Sequence, residues 1–138
     1  CDVDVASQNQ VVVLGDYYKT EFPTTGARTA ATQFNIILKN CPVTVTNAKV
    51  RFDGTPDLTN ASLLAIDTSV AGAATGVAIN LMTADKADLP LHGSNSYTYA
   101  LSSTADNTLS FYAQYISTAA SITAGPANSV ANFSVVYN

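Results

Sequence analysis

The C-terminal stretch GPANSVANFSVVYN, residues 125–138, carries the clearest strand signal in the chain. From Ala127 onward its odd positions are small or apolar, and its even positions are mostly polar, with two valines as exceptions. This alternation predicts a β-strand over 127–137 with one face directed at a core. Gly125 and the proline after it form a turn signal before the strand. The inward residues are Ala127, Ser129, Ala131, Phe133, Val135 and Tyr137.

Strand signals recur along the rest of the chain, with turn-rich stretches between them. In 33–41, Phe34, Ile36 and Leu38 share one face. About eight short strands in all predict a single all-β domain over 1–138, an immunoglobulin-like sandwich. A turn of helix in 67–75 is a weak alternative. The other strand stretches are 11–15, 47–54, 63–67, 75–83, 96–101 and 107–118.

The terminal strand raises a question about pairing. Greek-key sandwiches usually pair their terminal strands, because open apolar edges invite aggregation. Only Asn138 follows the strand at 127–137 in this sequence, and no residue precedes Cys1. We therefore expect a sandwich that is one strand short.

Composition restricts the classes of function. The 138 residues are 47% hydrophobic and 12% charged, which argues against disorder. The net charge is −4 and no basic run occurs, so nucleic acid and anionic membrane surfaces are poor partners. No apolar stretch approaches the roughly 18 residues that a membrane-spanning helix needs, so we expect no membrane insertion.

Cys1 and Cys41 are the two cysteines, and they allow one intrachain disulfide. Such a bridge would restrain the unfolded chain by about 4 kcal/mol and would place the protein in an oxidising compartment. Two free buried thiols are one alternative. A lipidated Cys1 is another, although it would leave Cys41 unpaired.

The chain offers few groups for catalysis or metal binding. His92 is the single histidine, and no carboxylate in an obvious orienting position accompanies its neighbouring serines. The pairs Asp2/Asp4 and Asp85/Asp88 match no calcium-binding loop, and the cysteines lack the spacing of a zinc site. We expect no enzyme activity, no cofactor and no metal. An enzyme that depends on His92 is the least favoured hypothesis.

Taken together, the sequence resembles a type 1 pilin, a subunit of chaperone–usher fimbriae on Gram-negative bacteria. The resemblance rests on the two cysteines and on an alternating tail with a glycine fourteenth from the end, Gly125, and a penultimate tyrosine, Tyr137. Four internal stretches add to it: FNIILKNC at 34–41, VRFDG at 50–54, GVAINL at 76–81 and NTLSFYAQY at 107–115.

The resemblance implies an incomplete immunoglobulin-like β-sandwich that lacks its final strand and is completed by a donor strand from another chain. In the periplasm a pilus chaperone would fill the groove; an outer-membrane usher would then export subunits into an extracellular, adhesive fimbrium. The N-terminal extension of the neighbouring pilin would replace the chaperone by β-augmentation. One lip of the groove would be Gly125, Ala127, Ser129, Ala131, Phe133, Val135 and Tyr137, and its floor would include Phe34, Ile36 and Leu38. A small residue at Gly125 would keep a pocket open.

Such pilins carry their N-terminal extension before the first cysteine, whereas this sequence begins at that cysteine. We expect a trimmed form that accepts a strand but donates none. A minor, adaptor or terminating pilus subunit is the alternative within the family. A secreted carbohydrate-binding sandwich is the alternative outside it; the 7 tyrosines are compatible with a sugar site, but tryptophan is absent.

Overall fold

A computed structural model describes residues 1–5, 22, 24–69, 71–123, 125, 127, 129 and 131–137. The strand expected at 11–15 lies outside the described residues. The described residues form eight strands. They are β1 (Asp2–Val3), β2 (Thr32–Lys39), β3 (Asn47–Gly54), β4 (Leu64–Ala65), β5 (Val77–Met82), β6 (Tyr99–Ala100), β7 (Asn107–Ser117) and β8 (Ala131–Tyr137).

The described strands form an all-β, immunoglobulin-like sandwich of two antiparallel sheets. The larger sheet has the order β1-β2-β7-β5-β4, and the smaller has the order β6-β3-β8. β2 pairs with β7 from Thr32 opposite Ala113 to Leu38 opposite Asn107. β3 pairs with β8 from Ala48 opposite Tyr137 to Gly54 opposite Ala131.

The core lies between the sheets, and the period-2 patterns supply it. In β2, Ile36 and Leu38 are buried on one face, as the alternation predicts. In β3 the buried residues are Ala48, Val50 and Phe52. β7 contributes Leu109, Phe111 and Ala113. The apolar faces of both sheets thus meet in one cluster.

β5 differs, because all six of its residues are buried. Asn80 faces away from the core, and its amide donates to Asp88 Oδ1 at 3.0 Å and to Gln114 Oε1 at 3.1 Å. These hydrogen bonds satisfy the buried amide. The chain after β5 turns back beside the end of the strand, where the Leu89 amide donates to the Leu81 carbonyl and Met82 forms an isolated bridge with Asp88.

Two sequence predictions need correction, and one strand was missed. β8 begins at Ala131 rather than at residue 127, because its partner β3 ends at Gly54, which lies opposite Ala131. The described part of 67–75 forms turns and one isolated bridge instead of a helical turn. The short strand β1 was not anticipated, since two residues carry no readable alternation.

Candidate functional site: the open edge of β8

β8 lies at one end of the three-stranded sheet. All seven of its residues are in register with β3 on one side. On the other side, no strand among the described residues pairs with it. An edge strand of this length presents a row of main-chain donors and acceptors to any strand that lies beside it.

The inward side chains of β8 are less buried than those of the strand next to it. Ala48, Val50 and Phe52 of β3 are buried, with at most 5% of their surface exposed. Their partners across the ladder, Tyr137, Val135 and Phe133, are only partly buried. All three contact the edge of the core cluster, as does Ala131. The core is therefore incompletely covered along β8.

Phe52 joins β8 to the larger sheet. Its ring centroid lies 6.3 Å from that of Phe133, 5.9 Å from that of Phe34 and 5.3 Å from that of Phe111, all edge to face. Phe34 is itself partly buried, at the start of β2. Ile36 and Leu38, by contrast, are fully buried. Of the residues expected in the groove floor, only Phe34 retains appreciable exposed surface.

The last residue of β8 lies close to the N-terminal strand. Burial, followed by the charge of Asp2, raises the pKa of the Tyr137 hydroxyl. Asp2 belongs to β1, which pairs with β2 through Lys39 and Leu38. The disulfide between Cys1 and Cys41 fixes β1 at this end of the larger sheet.

Before β8, three further residues of the predicted lip are described. Gly125 lies so close to the turn at 72–74 that an added Cβ would overlap the Gly72 carbonyl oxygen. The Ala127 carbonyl accepts a hydrogen bond of 2.9 Å from the Tyr115 hydroxyl. The Ser129 hydroxyl donates to the Ala65 carbonyl at 2.6 Å. None of the three lies in β8.

The hydrogen bond between Tyr115 and Ala127 could not be predicted from the sequence. The bond joins a side chain to a main-chain carbonyl 12 residues away, and no residue type marks that carbonyl. The same holds for Ser129 and Ala65, which are 64 residues apart.

The isolated histidine lies in a turn against the end of β3. His92 Nε2 accepts a hydrogen bond of 3.3 Å from the Gly54 amide, and Asp53 Oδ1 is 4.0 Å from the same nitrogen. The His92 amide donates to the Phe52 carbonyl. Among the described residues, no three histidine, cysteine or acidic side chains are grouped as metal ligands would be. Within the same residues, no helix is long and apolar enough to span a bilayer.

Comparison with known proteins identifies the family. The sequence profile described as "Fimbrial protein" matches residues 1–138. This chain belongs to the fimbrial protein family. It is 37% identical to the type-1 fimbrial protein A chain of Escherichia coli, covering 99% of this chain and 75% of that protein. It is also 37% identical to the type 1 fimbrial subunit of Klebsiella pneumoniae, covering 99% and 76%.

Solved structures agree with this assignment. A Burkholderia pseudomallei antigen and type I fimbria protein is 36% identical to this fimbrial protein, with a TM-score of 0.76 over 99% of this chain and 88% of that one. The P pilus rod subunit PapA has a TM-score of 0.80 at 23% identity over 100% and 99%. The second likeness concerns the fold. This fimbrial protein is a structural pilus subunit.

Proposed function

We propose that this pilus subunit polymerises by donor-strand exchange at the open edge of β8. The N-terminal extension of a neighbouring subunit would pair with β8 and cover its inner face. The observation that carries the proposal is the contrast in burial across the β3–β8 ladder. A strand inserted beside β8 would supply both the missing main-chain partners and the missing apolar layer.

The energy available is consistent with stable assembly. Four donor side chains, each contributing roughly 1.5–3 kcal/mol on burial, give a total of order 10 kcal/mol before ordering costs. That is comparable to the roughly 5–15 kcal/mol net stability of an ordinary domain. The free subunit would therefore be much less stable than the complemented one.

In this proposal the acceptor site has a lip and a floor within a single pilin domain, residues 1–138. Phe133, Val135 and Tyr137 are its principal apolar contacts, since they contact the core and remain partly exposed. Ile36 and Leu38 would support the site from beneath rather than contact the donor directly, because they are already buried. The proposed lip is Gly125, Ala127, Ser129, Ala131, Phe133, Val135 and Tyr137, and the proposed floor is Phe34, Ile36 and Leu38.

Fimbrial subunits form extracellular pili on the cell surface. Before that stage, a periplasmic chaperone would donate a strand to the same edge, and an outer-membrane usher would organise the exchange. A role as the main shaft subunit is supported by similarity to the type-1 A chain of Escherichia coli. A catalytic role is not part of the proposal, since the His92 ring holds a turn against β3.

The test is thermal unfolding of the oxidised chain, alone and with a peptide that copies the N-terminal extension of a related pilin. We expect a large rise in Tm with this peptide. The matched control peptide has one central apolar residue replaced by Asp, which would place an unpaired charge against the apolar face of β8. The same Tm with both peptides would refute donor-strand acceptance.

A variant pair makes the test specific to the inner face of β8. Val135→Asp places a charge on that face, whereas Ser134→Asp places it on the outer face of the same strand. Peptide stabilisation should be lost in V135D and retained in S134D. Circular dichroism of the free variants establishes that each is folded at the temperature of the peptide titration.

A further inference from the structure

The last four described residues before β8 are Thr123, Gly125, Ala127 and Ser129, and we call them the anchor segment. Thr123 exchanges two main-chain hydrogen bonds of 3.1 Å with Thr75, just before β5. All four residues contact the larger sheet or its connecting turn, whereas from Ala131 onward the chain is paired with β3 of the smaller sheet. The chain thus crosses from one sheet to the other between residues 129 and 131.

Two side-chain hydrogen bonds secure this crossing. The Tyr115 hydroxyl extends from the inner face of β7 to the Ala127 carbonyl, 2.9 Å away. The Ser129 hydroxyl reaches the Ala65 carbonyl on β4, 2.6 Å away. Tyr115, Ala127 and Ser129 are all partly buried, so water competes less for these bonds than it would at an open surface.

The position of the anchor segment matters because β8 has a ladder partner on one side only among the described residues. The start of such a strand frays unless something else holds it. A strand that is already fixed in its bound position spends less conformational entropy when a partner arrives. Bonds that hold residues 127 and 129 therefore favour capture of a donor strand by β8, even though they lie outside the paired strand.

From these contacts, and resting on the proposed function, we propose that Tyr115 and Ser129 are positioning residues for donor-strand capture. They act on β8 through the anchor segment. In this view the close approach of Gly125 to the turn at 72–74 also helps to hold the anchor segment in place.

The experiment measures affinity for two donor peptides at a temperature well below Tm. The short peptide spans only β8, and the long peptide extends past residues 127–129. Tyr115→Phe removes one hydroxyl and keeps the ring. We expect Tyr115→Phe to weaken binding of the short peptide about fivefold, which is the order of effect of losing one net hydrogen bond. Tyr112→Phe, on the opposite face of β7, is the matched control and should leave the affinity unchanged.

Ser129→Ala should reproduce the effect, with Ser134→Ala on the outer face of β8 as its control. Hydrogen exchange in the free chain provides a second readout. The β8 amides should exchange faster in Y115F and S129A than in the wild type, while those of β2 should not. A merely structural role would change Tm and exchange throughout the sandwich, and would not change the affinity of a folded chain for the short peptide.

The outcomes separate this inference from the proposed function. If the wild-type chain binds neither peptide, the proposed function fails, and the role in capture fails with it. If the wild type binds both and Y115F and S129A bind the short peptide equally well, the positioning role alone is wrong. Weaker binding of the short peptide by Y115F and S129A, together with faster exchange of the β8 amides, supports the positioning role.

Discussion

β3 and β8 are neighbouring strands with the same alternating design, yet they have different environments. Phe52 of β3 is 5% exposed and lies among three other phenylalanine rings. Phe133, directly opposite it, is only partly buried. β3 has a strand on each side, whereas β8 has one on one side only among the described strands. The difference follows from position, since the Phe52 ring is enclosed by neighbouring rings of the larger sheet, whereas Phe133 lies on the edge strand of the smaller sheet.

The largest expected effect tests this contrast directly. Phe52→Ala should lower the free energy of unfolding by about 3–5 kcal/mol, because it leaves a cavity in a packed core. Phe133→Ala should cost clearly less in the free chain, since part of its ring already contacts solvent. Urea unfolding measures both. Addition of the donor peptide should reduce the difference between the two variants in lost free energy of unfolding. Equal losses without peptide would contradict the difference in burial between Phe52 and Phe133.

Removal of the Cys1–Cys41 disulfide tests whether β1, the N-terminal strand, depends on a covalent restraint. Replacing Cys1 and Cys41 with serine should lower the free energy of unfolding by about 4 kcal/mol in the loop-entropy description, since the bridge spans 40 positions. Urea unfolding of the double variant gives the value. Reduced wild-type protein is the control, and it should match the variant. A loss far below this range would mean that the unfolded chain is already restrained near β1.

A substitution at Gly125 distinguishes a role in the stability of the free chain from a role in peptide binding. Gly125→Ala should destabilise the free chain by about 1–3 kcal/mol, because the new methyl group overlaps main-chain atoms of the turn at 72–74. If Gly125 served only to leave room for a donor side chain, the free chain would keep its stability and only peptide binding would suffer. Thermal unfolding without peptide decides between these outcomes.

The smallest effect concerns the outer surface of the larger sheet. Hydrogen bonds from Asn80 and Arg28 lower the pKa of the Asp88 carboxyl. Its ionised form therefore stabilises the native state above the unfolded-state pKa near 3.8, and this contribution is lost as the pH falls through the lower folded-state pKa. Asp88→Asn should cost less than about 1 kcal/mol at pH 6, since the side chain is largely exposed.

Unfolding of D88N and wild type at pH 6 and pH 3 measures that dependence, and the difference between them should shrink at the lower pH. Asp106→Asn, an exposed carboxylate elsewhere on the molecule, is the control. Peptide stabilisation should be the same in D88N as in the wild type, because Asp88 is remote from β8. A changed response to peptide would show that the outer surface influences the acceptor edge.

Much of the sandwich follows from the sequence, for a physical reason. In β2, β3 and the first part of β7 one face meets the core and the other is more exposed, so alternation reports burial directly. Near the end of β7 the outer residues Gln114 and Ile116 are buried as well. β5 is covered on both faces, and its alternation therefore does not distinguish them. β1 and β4 are two residues long, and tertiary contacts define them rather than local pattern.

The candidate site, like the fold, was predictable from the sequence only in part. Phe133, Val135 and Tyr137 were predicted on the inward face of the last strand, and the structure places them there. The sequence could not rank Phe34, Ile36 and Leu38 by depth, since equivalent positions of one strand meet different neighbours. The crossing between sheets was also not predictable, because it depends on main-chain carbonyls at Ala65 and Ala127 that any residue possesses.

The seven-residue register between β8 and β3 has a mechanical consequence. Interstrand hydrogen bonds in an antiparallel pair run perpendicular to the strands. Tension applied along β8 therefore loads all of its pairs with β3 together, in shear, whereas a pull across the strand would open them one after another. In a fibre whose axis follows these strands, each pulling force would be shared among all the interstrand bonds of β8 at once.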